Sequence, residues 1–484
     1  MEISSVTGSA LILRGDALHL PLADESVDLI VTSPPYFALR SYRDGDEHYG
    51  GQLGSEPTPQ AFLEALWAVI GECWRVLKPS GSCFVNLGDK RSGSGGHNNS
   101  GLAPARTGEF GTRKHNGEAP RSLRTASTRR NAPDRYNQAA FGRRKSKMLL
   151  PHRFAIGCED GLADPDGIGW IVRGDYVWQK LNGLPESVTD RCRDSHEYLF
   201  HLVKSEQYFS AIDEVREGYA PGTAARYAAG FNSRDLDTER CSVNTKLGGD
   251  TYGENPLGKL PGSVWALPSE PLRTPDLFVL MPEGRDVALW EDRKSTPPWR
   301  KAMKWLFAEM FRRQALGLDQ PRVIEINHFA AFPTELVRRV ILGWSPSGVC
   351  VACGEGRRPV VDRQYEQIGK STTGSASRKD GREPFGRTDG TGMNGKPALR
   401  DVSTITGYAC ACPFDTAPTR PSVILDPFLG SGTTTMVARA LGRAGIGTEL
   451  SADYCRLAKW RTFDSGGGAK AVARTNREAQ GSML

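Results

Sequence analysis

Three groups of residues in this sequence have types and spacings that could do chemistry. Ser33-Pro34-Pro35-Tyr36 follows an apolar run, Ser26-Val27-Asp28-Leu29-Ile30-Val31. The two prolines must end that run, because proline cannot donate to a ladder or continue a helix. The result is a rigid rim of carbonyls at a strand end. Its oxygens, with the Ser33 hydroxyl, can accept hydrogen bonds from an amino group, while Tyr36 offers a plate to a planar ring. Phe37 reads either as a second plate or as core. The bland alternative is a turn that only caps the strand.

The second group is Asp426-Pro427-Phe428-Leu429-Gly430-Ser431-Gly432-Thr433-Thr434. Glycines let a ligand approach the backbone, and a helix start supplies free N–H groups. No Lys-Ser/Thr pair follows the glycines, which excludes a P-loop. Glu449, about 20 residues on and ending the next strand, could accept both hydroxyls of a ribose. This is the pattern of a nucleotide-type cofactor site, with a purely structural turn as its alternative. The third group pairs Cys350-Val351-Ala352-Cys353-Gly354 with Cys410-Ala411-Cys412. Four thiolates from two turns can close a tetrahedral structural zinc site; otherwise they are free thiols. The other six of the ten cysteines read as core.

The first two groups need strand ends to hold them, and the hydropathy pattern supplies strands. Apolar runs predict strands at 9–14, 26–31, 82–87, 170–173, 176–180, 197–202, 422–426 and 444–449. Phe62, Leu63, Leu66, Val69, Ile70, Trp74 and Leu77 have helical spacing, closed by Lys78-Pro79-Ser80-Gly81. Further helices are predicted near 298–313, 333–343 and 433–442. Strand–helix–strand units with short turns predict an α/β sheet.

The 484 residues carry 62 Lys/Arg and 56 Asp/Glu, a net charge of +6. The charge is unevenly spread. Lys90 to Lys147 holds fourteen Lys/Arg against Glu109, Glu118 and Asp134, a local +11 that leaves −5 for the rest. This stretch lacks periodicity and reads as a mobile basic loop suited to nucleic-acid phosphates, or else as a solvated insertion. The 54 glycines and 31 prolines predict further irregular segments. No run is long and apolar enough for a membrane helix, and Met1-Glu2-Ile3-Ser4 lacks the basic patch of a secretory signal. With no disulfide framework evident, a cytoplasmic location is expected.

The first two strings together, each at a strand end, resemble the amino-directed DNA methyltransferases that use S-adenosylmethionine. Further segments carry the likeness. Arg14-Gly15-Asp16-Ala17 resembles the segment whose aspartate contacts the cofactor adenine, and Val76-Leu77-Lys78-Pro79-Ser80-Gly81 is similar to the V-L-K-P-G-G turn. Trp178-Gln179-Lys180 through Pro185-Glu186-Ser187, and Ser195-His196-Glu197-Tyr198, match two more family segments. His328-Phe329-Ala330-Ala331-Phe332-Pro333 resembles the stretch that closes over the methionine end of the cofactor. The catalytic string precedes the cofactor loop, which is the order of the beta group. About half the chain is covered, at roughly 9–90, 148–215, 326–345 and 420–460. One departure is Lys180-Leu181-Asn182-Gly183, where the family has Lys-Pro-Asn-Pro.

The resemblance implies a Rossmann-like, motif-permuted α/β methyltransferase sheet with a target-recognition region; the basic loop and the zinc-knuckle insertion, read from the residues themselves, exceed the minimal family core. The chain then divides into a core at 1–89, the basic loop at 90–147, core again at 148–204 and target recognition at 205–325. A cofactor-closing segment at 326–349, the Cys-bearing insertion at 350–412, the cofactor half at 413–463 and a disordered tail at 464–484 complete the division. Catalysis falls to Ser33, Pro34, Pro35 and Tyr36. Cofactor binding falls to Asp16, His328, Phe332, Asp426, Pro427, Phe428, Gly430, Ser431, Gly432, Thr433 and Glu449, and metal binding to Cys350, Cys353, Cys410 and Cys412. The implied partners are double-stranded DNA and a restriction endonuclease. Serine at the head of the first string favours cytosine N4 over adenine N6 as the amine. A carbon-5 cytosine enzyme is excluded, since no cysteine follows a proline. A DNA-binding module without turnover is the reading from another class.

Overall fold

The computed structural model describes residues 8–38, 43–44, 47–48, 52–92, 145–219 except 184 and 187, 255, 257–270, 277–283, 286–289, 299–324, 332–362, 365–367, 399–401, 404–412 and 417–464. The expectations for the basic loop between 93 and 144, for His328, for the centre of the Cys-bearing insertion and for the tail beyond 464 lie outside these residues.

An eight-stranded sheet organises the larger part of the molecule. Its strands are β1 (Ala10–Arg14), β2 (Val27–Thr32), β3 (Leu77–Leu87), β4 (Ile171–Lys180), β5 (His196–Val203), β6 (Val264–Leu267), β7 (Val423–Asp426) and β8 (Ala444–Glu449). They lie in the order β1-β8-β7-β2-β3-β5-β4-β6. The first five run parallel. β5 then pairs antiparallel with both β3 and β4. β2 is buried at every position, as a central strand covered on both faces must be. Because β7 and β2 are parallel neighbours, Asp426 and Ser33 emerge at the same edge although most of the chain separates them.

Helix α1 (Pro59–Val76) starts where Thr58 Oγ1 accepts the Ala61 N–H at 3.1 Å and Pro59 presets the first turn. It buries Phe62, Leu63, Leu66, Trp67, Val69, Ile70, Cys73 and Val76, each large side chain contributing roughly 1.5–3 kcal/mol. It packs on α2 (Leu150–Glu159), where Trp67 Nε1 donates to the Phe154 carbonyl at 3.1 Å. α2 has no local cap; Asp89, sixty residues earlier, accepts the N–H groups of Leu149 and Leu150 at 3.2 Å each. Helices α3 (Trp299–Ala315), α4 (Thr334–Trp344), α5 (Thr433–Ala440) and α6 (Ala452–Phe463) follow.

Locally the elements depart from the hydropathy pattern. Lys78-Pro79-Ser80-Gly81 is no free turn but a bulge inside β3, since Val27 pairs with Leu77 and Leu29 already with Ser82. The two strands expected at 170–173 and 176–180 are one strand, β4, bulged between Val172 and Gly174. β6, which falls within 205–325, ends the sheet on one side, a strand the hydropathy pattern does not predict. α2 and α6 fall where the sequence pattern predicts no element.

The chain divides into two compact units. One comprises Met1–Phe209, Ser263–Ile341 and Pro421–Thr475; the other comprises Ser210–Gly262, Leu342–Arg420 and Asn476–Leu484. The described part of the second is built from small antiparallel pairs, Val349–Cys350 with Thr419–Arg420 and Arg358–Asp362 with Thr404–Ala409 among them. Among the described residues no helix is long and apolar enough to cross a membrane.

Candidate functional site

The site begins at Thr32, the last residue of β2. Its hydroxyl donates to Asp426 Oδ1 at 2.7 Å. The same carboxylate takes the Thr434 hydroxyl at 2.7 Å and the Phe428 N–H at 3.1 Å. Asp426 therefore ties the end of β2, the turn after β7 and the first turn of α5 together. It is 2% exposed. Burial pushes its carboxyl up to about 6, against the downward pull of the Thr434 and Thr32 hydroxyls. The sequence expectation makes it a cofactor contact; in the structure three internal donors reach its two oxygens and hold the loop in place.

The loop is held from two further sides. Glu449 Oε2 accepts the Gly430 N–H at 2.9 Å, and Oε1 the Ser451 N–H at 3.0 Å. Burial raises the Glu449 pKa, opposed by those two backbone groups. Arg461, on α6, donates to the Ser431 carbonyl at 2.9 Å, the Ser431 hydroxyl at 2.6 Å and the Thr433 hydroxyl at 3.2 Å. Burial lowers the Arg461 pKa to about 10. Sequence reasoning missed this arginine, because it lies in a helix with no apolar stripe to mark it. Gly432 sits at φ +85°, and a Cβ there would come 2.9 Å from the Ala458 methyl, so the helix start requires glycine. The Pro427 carbonyl accepts the Thr448 hydroxyl at 2.9 Å. At the neighbouring strand end Asp16 is exposed and caps its own turn, accepting the Leu18 N–H at 3.0 Å. Phe332, just ahead of α4, is buried.

The Ser33-Pro34-Pro35-Tyr36 string leaves β2 directly beyond Thr32. Ser33 and Tyr36 are half-buried, with their oxygens 3.5 Å apart. The Tyr36 ring lies against the backbone at Gly88, where a Cβ would approach Cε2 to 2.8 Å. Its hydroxyl donates to Glu197 Oε2 at 2.6 Å and accepts from Asn86 Nδ2 at 2.8 Å. Asn86 Nδ2 also donates to Glu197 Oε2 at 2.7 Å, and the Lys180 ammonium pairs with Glu197 Oε1. Asn86 Oδ1 is buried without a partner in the described structure, a cost of about 1–3 kcal/mol. Lys180 and Glu197 stood in recognised strings, yet spacing could not assign them to Tyr36. Phe37 is core: it is 3% exposed and packs on Phe62. The departing Lys180-Leu181-Asn182-Gly183 turn is anchored by Asn182, which exchanges two hydrogen bonds with the Ser269 backbone at 2.9 and 2.6 Å.

In the second unit the four expected cysteines do converge. The sulfurs of Cys350, Cys353, Cys410 and Cys412 all lie within 4.8 Å of one another. The Gly354 N–H returns to the Cys350 carbonyl at 2.9 Å, which closes the first turn. Backbone N–H groups of Cys353 and Ala352 push the Cys350 thiol down to about 6, toward the thiolate a metal takes. The quartet has the donor set and spacing of a closed tetrahedral site.

A family model described as DNA methylase, of the N6/N4 type, matches residues 27–388 and 418–460. Among curated proteins, the Type II methyltransferase M.Cfr9I of Citrobacter freundii is 34% identical over 210 residues, 43% of this chain and 59% of that protein. M.XycI of Xanthomonas campestris pv. cyanopsidis is 36% identical over 212 residues, again 43% and 59%. The chain thus spans about three fifths of the length of these two relatives. The solved PvuII cytosine-N4-specific DNA methyltransferase aligns over 98% of this chain and 94% of its own at 15% identity, with a TM-score of 0.41, too loose a likeness to argue from.

Proposed function

Because the chain belongs to the N6/N4 DNA methylase family, we propose that it methylates an exocyclic amine of a base at specific sites in duplex DNA, with S-adenosylmethionine as donor. The observation that carries this reading is the Thr32–Asp426 hydrogen bond at 2.7 Å, which fastens the amine-binding string to the cofactor loop. We assign the amine to cytosine N4 rather than adenine N6 on the serine at position 33.

The residues fit the cofactor. Asp16 and Glu449 stand at the ends of paired parallel strands, β1 and β8, where Arg14 faces Glu449. Each carboxylate has lone pairs beyond those its backbone contacts use, Asp16 for an adenine amine and Glu449 for ribose hydroxyls. The backbone from Pro427 and Phe428 through Gly430, Ser431, Gly432 and Thr433 would line the site, with Phe332 and His328 toward the methionine end. When bound, S-adenosylmethionine supplies an electrophilic methyl group.

The protein's own contribution is orientation. A ring amine is a poor nucleophile because its lone pair is delocalised. Ser33 Oγ and the Pro34 carbonyl would accept its two hydrogens, favouring a pyramidal nitrogen whose lone pair can attack in line. The target nucleotide must leave the stack to arrive there, and Tyr36 is the stacking wall. The basic stretch 90–147 would hold phosphates and 205–325 would contribute to reading the sequence. Zinc in the cysteine quartet would be structural. A cytoplasmic restriction partner is in keeping with the Type II relatives.

Incubating the protein with methyl-labelled S-adenosylmethionine and duplex DNA tests the reading. Label should enter DNA and be lost in Ser33→Ala without loss of cofactor binding. A folded protein that binds the cofactor and never labels DNA would instead be a binding module.

A further inference from the structure

A carboxylate from an antiparallel strand reaches the Ser33-Pro34-Pro35-Tyr36 string through its tyrosine. Glu197, 7% exposed at the start of β5, receives both the Tyr36 hydroxyl at 2.6 Å and the Asn86 amide at 2.7 Å on Oε2. Its other oxygen is held by Lys180, whose ammonium also lies 5.0 Å from the Trp178 ring centre. Lys180 thus supplies the opposite charge that a buried carboxylate needs.

We propose that Glu197, fixed by Lys180, is a positioning residue that determines which way the Ser33 hydroxyl points. This rests on the methyl-transfer reading above. An ionised carboxylate only accepts, so the single hydroxyl hydrogen of Tyr36 is committed to Glu197. The phenol oxygen can then only accept from its other neighbours. Asn86 Nδ2 takes one of its lone-pair positions at 2.8 Å, and the Asn86 amide cannot turn over without setting its own oxygen against the carboxylate. Ser33 Oγ lies 3.5 Å from the phenol oxygen. Its hydrogen is drawn toward the phenol oxygen, and the lone pairs it turns outward are what an arriving amine N–H requires. Without Glu197 the Tyr36 hydrogen is free to face Ser33. Ser33 then turns its own hydrogen toward the amine, donor against donor.

The test compares the full chain with Glu197→Gln, Tyr36→Phe and the double variant. Single-turnover methyl transfer to duplex DNA is followed at saturating S-adenosylmethionine, with cofactor affinity measured by calorimetry. Each single variant should slow transfer roughly 10- to 100-fold, the scale of one charge-assisted hydrogen bond. Cofactor affinity should not change. The double variant should be no slower than the slower single one, because both act through the same bond. A Tyr36→Phe variant at the wild-type rate overturns the proposal, and so do losses that multiply in the double variant. If Glu197→Gln does not fold, Tyr36→Phe decides alone. A wild-type protein that methylates no DNA would mark failure of the functional reading itself, and this inference would fall with it.

Discussion

The Thr32 hydroxyl and the Asp426 carboxylate, 394 residues apart in sequence, share a 2.7 Å hydrogen bond inside the sheet. One residue beyond Thr32 is the candidate amine acceptor, and one beyond Asp426 the glycine-rich loop begins. A shift at this bond would move the two half-sites against each other, and a misplacement of about 1 Å can cost 100-fold in rate. On the proposed function the buried pair would serve catalytic geometry as well as stability.

Asp426 gives a pH signature. Its carboxyl is raised to about 6 in the folded protein from an ordinary 3.8. A carboxyl raised on folding binds its proton more tightly in the native state. Its contribution to stability is complete below pH 4 and is lost as pH rises through 6. The gap corresponds to about 3 kcal/mol. Denaturant titrations between pH 4 and 7 should show this decline in the wild type and its absence in Asp426→Asn. Parallel profiles would mean that Asp426 does not titrate in that range.

Glu449→Ala should weaken S-adenosylmethionine binding by at least about 1.5–3 kcal/mol, the scale of hydrogen bonds to a charged group. The structure adds a reason beyond ribose recognition, because the Gly430 and Ser451 N–H groups lose their acceptor. Glu449→Gln should recover little, since its amide would turn a donor toward one of those N–H groups. Calorimetry giving wild-type affinity for either variant would remove Glu449 from the site.

Metal analysis of purified protein should find about one zinc per chain. Chelation, or Cys353→Ser, should destabilise the unit containing Leu342–Arg420, and methyl transfer by the intact core should persist. Far less than one zinc in folded protein would leave the quartet as free thiols.

The basic stretch can be excised cleanly, because its two ends meet. Arg91 and Lys147 form an antiparallel bridge, and Ser92 exchanges backbone hydrogen bonds with Ser146 and Lys145 at 2.8 and 2.9 Å. Replacing 95–143 with a short Gly/Ser linker should weaken DNA binding and flatten its salt dependence while leaving the recognised sequence unchanged. An unaltered salt slope would make the stretch a passive insertion.

The strands around the site were legible because each ends in a residue that compels the ending: Pro34 after β2, Pro427 after β7. α1 was legible from its apolar stripe. α2 was not, since its cap is Asp89 from a distant turn and its interior carries Gly157, where the Trp67 indole packs too closely for a Cβ. α6 was not, since it buries Asp453, Arg461 and Thr462 and so shows no stripe. The same limit hid the partners of Tyr36. Glu197 and Lys180 could be seen as residues worth noting, but only antiparallel pairing of β4 and β5 beside β3 brings them to the phenol. Long-range polar partners leave no local period to read.

Identifying the modified nucleoside is the decisive test of methyl transfer to an exocyclic amine of DNA. Duplex DNA treated with the protein and S-adenosylmethionine would be digested to nucleosides and analysed by mass spectrometry. The product should be N4-methylcytosine, formed only with the cofactor and abolished by Tyr36→Ala. N6-methyladenine would uphold the chemistry and overturn the choice of base. Methylation at cytosine carbon 5, or no modified nucleoside from active-site-intact protein, would rule out amine methylation by this protein.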